Sequence, residues 1–234
     1  MVIPKICDRI NDAILDACLS QDPNSRVAVE CAIKGNLLCL LGEITTKACI
    51  DPVAIARDVL RATGHANARW GLDPESINVT VALDRQSPDI ARGVDGDDIG
   101  AGDQGIIFGF SCDEMPEFLP LPIALAHALL RRHKAVHETA EGAFLGPDAK
   151  AQVTISYKSG RPAAVDTVVL STQHERGFPQ DRLRRYVEET IIAPVLLAGL
   201  PGPRQVLLNP TDVFEIGGPM ADAGLTGRKI MVDT

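Results

Sequence analysis

Two hairpin patterns constrain the fold of this chain more than any other feature of its sequence. In the first, strand-like stretches over 26–33 and 37–44 flank Lys34-Gly35-Asn36, where glycine and asparagine favour a tight turn. In the second, strand-like stretches over 152–157 and 163–170 flank another short turn that contains a glycine. In each half of the chain, a helical pattern and a short strand follow the hairpin.

The remaining elements follow from helical spacing and from alternation. Ile6, Ile10, Ile14 and Cys18 recur every four residues, which predicts a helix with one apolar face. Asp51 precedes the next helical pattern and is a suitable N-cap for it. The predicted helices cover 5–19, 52–62, 119–133 and 181–197, the last of them interrupted by Pro194. The further predicted strands cover 77–83, 206–208 and 228–234.

The same order of hairpin, helix and strand in both halves of the chain predicts an α+β fold. Two similar units each have a mainly antiparallel sheet covered by helices on one face, and the start of a third unit follows them. Hydrophobic residues make up 45% of the chain but aromatic residues only 4%, so the core is expected to consist of Ile, Leu, Val and Ala.

A long glycine-rich stretch interrupts the pattern over 86–105. It contains Gly93, Gly96, Gly100, Gly102 and Gly105, together with five aspartates. A loop of this length inside a compact protein is usually functional or disordered.

Composition and charge exclude several classes of protein. The formal charge of -8 argues against a nucleic-acid partner, because phosphate backbones require a basic surface. No apolar run reaches the roughly 20 residues of a membrane span, and the N-terminus lacks the layout of a signal peptide. The six cysteines form no CxxC pair, which favours buried free thiols in a reducing compartment. We therefore expect a soluble cytoplasmic protein.

Several ordered motifs resemble those of the S-adenosylmethionine synthetases. The resemblance covers nearly the whole chain, in the family's order and at compatible spacing. In chain order, the motifs are Lys5-Ile6-Cys7-Asp8, Gly42-Glu43-Ile44-Thr45-Thr46, Gln86-Ser87-Pro88-Asp89-Ile90, Gly100-Ala101-Gly102-Asp103-Gln104-Gly105, Pro147-Asp148-Ala149-Lys150, Leu170-Ser171-Thr172-Gln173-His174, Asn209-Pro210-Thr211 and Asp222-Ala223-Gly224-Leu225-Thr226-Gly227-Arg228-Lys229.

The resemblance implies a reaction in which the methionine thioether attacks C5′ of ATP and the triphosphate leaves. The triphosphate is then hydrolysed to pyrophosphate and phosphate. A neutral thioether needs alignment rather than a general base, whereas the leaving group needs cations around it. The resemblance further implies Mg²⁺ and K⁺ as cofactors and a homodimer or homotetramer with its sites at the dimer interface.

The resemblance also assigns residues and domains. Lys150, Arg228 and Lys229 are implied as catalytic, and Glu30 as a potassium contact. The implied ATP contacts are Asp148, Lys150, Asp222, Arg228 and Lys229, and the implied methionine contacts are Glu43, Gln86, Asp103 and Asp222. The implied domains are an N-terminal domain over 1–88, a gating loop over 89–105, a central domain over 106–217 and the start of a truncated C-terminal domain over 218–234.

The chain departs from the family pattern at several places. Residues 1–4 are Met-Val-Ile-Pro where the family has Gly-His-Pro-Asp, and Asp212-Val213 stands where the family has Gly-Arg. Glu215 replaces an expected apolar residue. The final stretch ends inside a strand pattern, whereas the family continues into a third domain. Two hypotheses follow, either a synthetase of which this chain is a fragment, or a non-catalytic relative that binds a partner subunit or a nucleotide.

Two histidines suggest a weaker alternative, a zinc site. His133 and His137 lie four residues apart, a spacing that suits a zinc ion on one helical face. No third ligand is evident, and Arg131, Arg132 and Lys134 surround the pair with positive charge. We therefore do not predict a zinc site.

Overall fold

The computed structural model describes residues 3–64, 68–85, 104–196 and 200–233. They divide into two compact units. Ile3–Gly109 and Asp222–Thr234 form one unit, which we call the N-terminal unit, and Phe110–Ala221 forms the other, which we call the central unit.

The N-terminal unit begins with a helix, a hairpin, a second helix and a strand. These are α1 (Ile3–Leu19), β1 (Arg26–Lys34), β2 (Leu37–Thr45), α2 (Pro52–Ala62) and β3 (Asn78–Asp84). β1 and β2 pair antiparallel through every residue of the hairpin, and β3 adds to β2 in parallel. The predicted apolar stripe of α1 is confirmed, since all four of its side chains are fully buried. The predicted N-cap is also confirmed, because Asp51 Oδ1 accepts from the amides of Val53 and Ala54 at 3.0 and 3.1 Å.

The central unit repeats the same order of elements. These are α3 (Leu121–His137), β4 (Leu145–Lys158), β5 (Arg161–His174), α4 (Gln180–Val187), β6 (Gln205–Leu208) and the short helix α5 (Gly218–Ala221). β4 and β5 pair antiparallel, and β6 adds to β5 in parallel. Each sheet is therefore a hairpin extended by one parallel strand, and the α+β prediction is confirmed. The core of this unit is mostly aliphatic and contains Leu125, Val168, Leu170, Leu183 and Ile191.

A late segment of the chain completes the first sheet. β7 (Gly224–Leu225) pairs antiparallel with β1, which gives the strand order β3-β2-β1-β7. A final helical turn, α6, covers Ile230–Asp233. The prediction of a strand over 228–234 is therefore wrong. Its alternating pattern does not bury a face, since Ile230 and Met231 both remain exposed.

The helix predicted over 181–197, with an interruption at Pro194, loses its α-helical form earlier than expected. The α-helix ends at Val187, and one turn of π-helix follows over Glu188–Ile192. In this turn the Ala193 amide donates to the Glu188 carbonyl, five residues earlier, at 2.9 Å. Pro194 explains the break, because proline has no N–H to donate and its ring clashes with the carbonyl of the residue four positions earlier.

The cysteines are free and largely enclosed. Cys7, Cys18 and Cys31 are buried, whereas Cys49 is exposed. A hydrogen bond with Cys7, together with burial, raises the pKa of the Cys31 thiol. None of the helices in the described ranges is both long and apolar enough to cross a membrane.

Candidate functional site

The segment over 222–229 is fixed to the first sheet by Thr226. Its hydroxyl accepts from the Cys31 amide at 2.7 Å and from Asn11 Nδ2 at 2.9 Å, and it donates to the Cys31 carbonyl at 3.1 Å. The Thr226 amide also donates to the Cys31 carbonyl at 3.0 Å. One threonine thus joins the segment to both β1 and α1.

Asp8 on α1 fixes the next residue of the segment. Its Oδ1 accepts from the Gly227 amide at 2.8 Å, and its Oδ2 lies 2.8 Å from Lys5 Nζ. Gly227 has a φ of +69°, a conformation that favours glycine. Arg228 and Lys229 follow at once, Arg228 exposed and Lys229 half-buried. Two cations on a fixed backbone suit an anionic ligand such as a phosphate.

Asp222 lies at the other end of the same segment. Its side chain is exposed, and Oδ1 accepts from the Ala223 amide at 2.8 Å. The segment therefore has one carboxylate before the short strand β7 and two cations after it.

Glu30 and Glu43 share one face of the first sheet. The β1–β2 register pairs Glu30 with Leu41 and Ala28 with Glu43, and directly paired residues point to the same side. Both glutamates are exposed, and Leu41 between them is 44% exposed. α1 packs against β1, whose side chains on the other face, such as Val29, are buried. Within the described part of this unit, the glutamate face thus remains accessible.

Asp148 and Lys150 belong to the central unit and share strand β4. Asp148 is only 3% exposed, and its Oδ2 accepts from the Gly218 amide at 2.9 Å. Its Oδ1 is buried and has no hydrogen-bond partner among the described residues. Lys150 is exposed and pairs in register with Ser171. The carboxylate is thus held by one oxygen, while the other oxygen is buried and has no donor among the described residues.

Gln173 and two glycines surround Asp148 closely. Gln173 is 2% exposed, and its Nε2 donates to the Glu215 carbonyl at 3.1 Å. A Cβ on Gly217 would lie 2.7 Å from Gln173 Oε1 and 2.9 Å from Asp148 Cβ. The resemblance assigns no role to Gln173 or to the two glycines. The sequence signals that point to them are the Gly217-Gly218 pair and the motif that contains Gln173.

A buried network lies beside this group. His133 Nε2 is 2.7 Å from Thr172 Oγ1, the Thr172 amide donates to Asn209 Oδ1 at 2.8 Å, and Asn209 Nδ2 donates to the Thr172 carbonyl at 3.1 Å. His137 Nδ1 lies 2.8 Å from the Leu145 carbonyl. Burial lowers the pKa of His133 to about 3. These contacts give both histidines a structural role.

The residues that depart from the family pattern have distinct environments. Asp212 has a φ of +70°, a conformation in which glycine is favoured, and Val213 is 53% exposed. Glu215 Oε1 accepts from the Gly177 amide at 2.7 Å, and its Oε2 lies 3.6 Å from Arg176 Nε. Glu215 thus has partners of its own, whereas Val213 places an apolar side chain in solvent where the resemblance expects a cation.

Two predicted methionine contacts, Gln86 and Asp103, lie outside the described residues, as does most of the predicted gating loop. Of the other predicted site residues, the N-terminal unit brings together Asp222, Arg228 and Lys229 on one docked segment, and Glu30 and Glu43 on one sheet face. Asp148 and Lys150 lie in the central unit. In the described ranges, no group of three or more His, Cys, Asp or Glu side chains could hold a metal ion.

Comparison with known proteins identifies the family. Residues 4–88 match the N-terminal domain of S-adenosylmethionine synthetase, and residues 98–214 match its central domain. The S-adenosylmethionine synthase of Thermosynechococcus vestitus is 47% identical over 98% of this chain and 61% of its own length. The corresponding synthase of Trichormus variabilis is 47% identical over 98% of this chain and 60% of its own. The chain spans about 60% of the length of these curated relatives. It belongs to the S-adenosylmethionine synthetase family.

Proposed function

We propose that the protein forms S-adenosylmethionine from methionine and ATP, with release of phosphate and pyrophosphate. The observation that carries this proposal is the docked segment, where Thr226 and Asp8 fix the backbone beside Arg228 and Lys229. We also propose the domain limits given above, 1–88, 89–105, 106–217 and 218–234, and a cytoplasmic location.

Each group of residues has a proposed task. Methionine is bound by Glu43, Gln86, Asp103 and Asp222. Alignment of its sulfur with C5′ of ATP provides most of the rate acceleration, since a thioether needs no base. Asp148 accepts from ATP through Oδ1, the oxygen that has no partner among the described residues. Lys150, Arg228 and Lys229 stabilise the charge that develops on the leaving triphosphate.

We propose Mg²⁺ and K⁺ as cofactors of the whole protein, with Glu30 as a potassium contact. Glu30 is a single exposed carboxylate on the open face of the sheet. The described residues of this chain do not form a complete Mg²⁺ site. None of the tasks proposed above therefore depends on that ion.

We propose further that two copies of the chain meet through the glutamate face of the first sheet, in a homodimer or a pair of dimers. Leu37 and Leu41 are large apolar side chains exposed on this face. A second copy would bury them and would bring Glu30 and Glu43 to the interface. Methionine would then bind at the boundary between the two copies.

A second candidate function has an observation in its favour. Val213 is exposed at the position where the resemblance expects an arginine of the nucleotide site. Loss of one preorganised donor costs about 100-fold to 1,000-fold in rate. A non-catalytic subunit that binds a nucleotide or a partner subunit is therefore the alternative.

The test combines product formation with nucleotide binding. Purified chain is mixed with methionine, ATP, Mg²⁺ and K⁺, and S-adenosylmethionine is measured by mass spectrometry. We expect slow formation that Lys229→Met reduces by about 100-fold and that Asp212→Gly with Val213→Arg increases. Nucleotide binding without product, before and after this double substitution, would favour the non-catalytic subunit. If neither product formation nor nucleotide binding is detected, both candidate functions are contradicted.

A further inference from the structure

Gln173 is a buried amide that none of the tasks above uses. It lies at the buried end of β5, between Gly146 on β4 and Gly217. A Cβ on Gly146 would lie 2.6 Å from its side chain, and a Cβ on Gly217 would lie 2.7 Å from its Oε1. The side chain therefore fills its space between the two backbones and has no room to turn.

The amide is connected to Asp148 by a short series of contacts. Gln173 Nε2 donates to the Glu215 carbonyl at 3.1 Å, two residues before Gly217. The Gly218 amide donates to Asp148 Oδ2 at 2.9 Å. Because a carbonyl can only accept, the NH₂ group of Gln173 must face Glu215, and Oε1 faces Gly217.

From these contacts we propose that Gln173 is a positioning residue, which holds the Gly217-Gly218 backbone so that Gly218 fixes the carboxylate of Asp148 for a nucleotide. The inference rests on the proposed role of Asp148 as an ATP contact. It assigns to Gln173 no direct contact with the ligand. The essential group is the amide donor of the side chain.

The donor can be separated from the volume of the side chain by two substitutions. Gln173→Met has a similar length but cannot donate to the Glu215 carbonyl. Gln173→Glu cannot donate while ionised, but it can donate once it is protonated. Burial raises the pKa of a carboxyl group, so its protonation occurs closer to neutral pH than in water.

The first experiment measures hydrogen exchange at the Gly218 amide. We expect Gln173→Met to speed this exchange by about 10-fold, the worth of one hydrogen bond, while the Val168 amide on β5 is unchanged. Gln152→Met, an exposed glutamine on β4, is the matched control and should leave both amides as in the wild type. Unchanged exchange at Gly218, or equally faster exchange at Val168, would overturn the proposal.

The second experiment measures ATP affinity by calorimetry at pH 8 and pH 6. We expect Gln173→Met to bind about 10-fold more weakly than the wild type at both values. Gln173→Glu should be weak at pH 8 and recover at pH 6, relative to the wild type at the same pH. Equal affinity in all the variants, or no recovery, would overturn the proposal. Failure of the wild type to bind ATP would contradict the proposed function, and the exchange at Gly218 would then decide the role of Gln173 alone.

Discussion

Single glycines fix how closely backbone segments approach in the central unit. A Cβ added at Gly217 would lie within 3 Å of neighbouring atoms. One of these is Asp148 Cβ, which cannot move unless strand β4 moves with it. We expect Gly217→Ala to lower the free energy of unfolding by about 1–3 kcal/mol, the usual cost of overpacking, as measured by urea denaturation. Gly202→Ala is the control, since a Cβ there meets nothing within 4 Å. Equal stability of the two variants would contradict this packing.

His133 makes the free energy of unfolding of the central unit depend on pH. Burial lowers its pKa to about 3, so below about pH 6.5 the unfolded chain binds a proton that the folded chain does not. Stability from this residue is therefore present above pH 6.5 and is lost as the pH falls toward 3. We expect His133→Gln to reduce the slope of unfolding free energy between pH 6.5 and 4 by up to about 1.4 kcal/mol per pH unit. Identical slopes in urea titrations would contradict this role.

At the scale of elements, local sequence signals predicted what local interactions determine. The hairpins, α1 and the Asp51 cap depend on residues close in sequence, and all were predicted. The interruption at Pro194 is predicted, but the α-helix ends at Val187 because proline also disturbs the turn that precedes it. β7 is not predicted, because two residues carry no pattern and the strand they pair with lies far away in the sequence. The bond between Cys31 and Thr226, the residue after β7, likewise joins positions 195 residues apart.

The docking of the segment over 222–229 depends on Thr226. Thr226→Val keeps the shape of the side chain but removes the hydroxyl that bonds Cys31 and Asn11. Each lost bond is worth about 0.5–1.5 kcal/mol, so we expect faster cleavage by trypsin after Arg228 and Lys229. Thr154→Val, at an exposed position of β4, is the control. Cleavage rates that match the wild type would contradict the docked arrangement.

At the scale of the whole molecule, the open face of the first sheet predicts association of two copies. Leu41 lies near the centre of this face and is exposed. We expect Leu41→Glu to convert a dimer into a monomer of 25.0 kDa, as measured by light scattering, because a buried unpaired carboxylate opposes the interface. Leu19→Glu, an exposed leucine at the end of α1, should leave the dimer intact. A monomeric wild type would contradict the proposed face.

The candidate site could be predicted from the sequence only where motifs carry it. Asp222, Arg228 and Lys229 are assigned by the resemblance, and they are close in sequence on the segment that Thr226 joins to β1. The amide of Gln173 was not assigned, because its neighbours Gly146 and Gly217 come from distant parts of the chain. A single sequence does not show such close approaches, which depend on tertiary packing.

The proposed function requires the assigned side chains to bind ATP and methionine. The most direct test is a crystal structure of the chain with S-adenosylmethionine and a triphosphate analogue. We expect polar atoms of Asp148, Asp222, Arg228 and Lys229 within about 3.5 Å of the ligands, with Glu43 at the methionine end. Ligands bound elsewhere, out of reach of these five side chains, would contradict it.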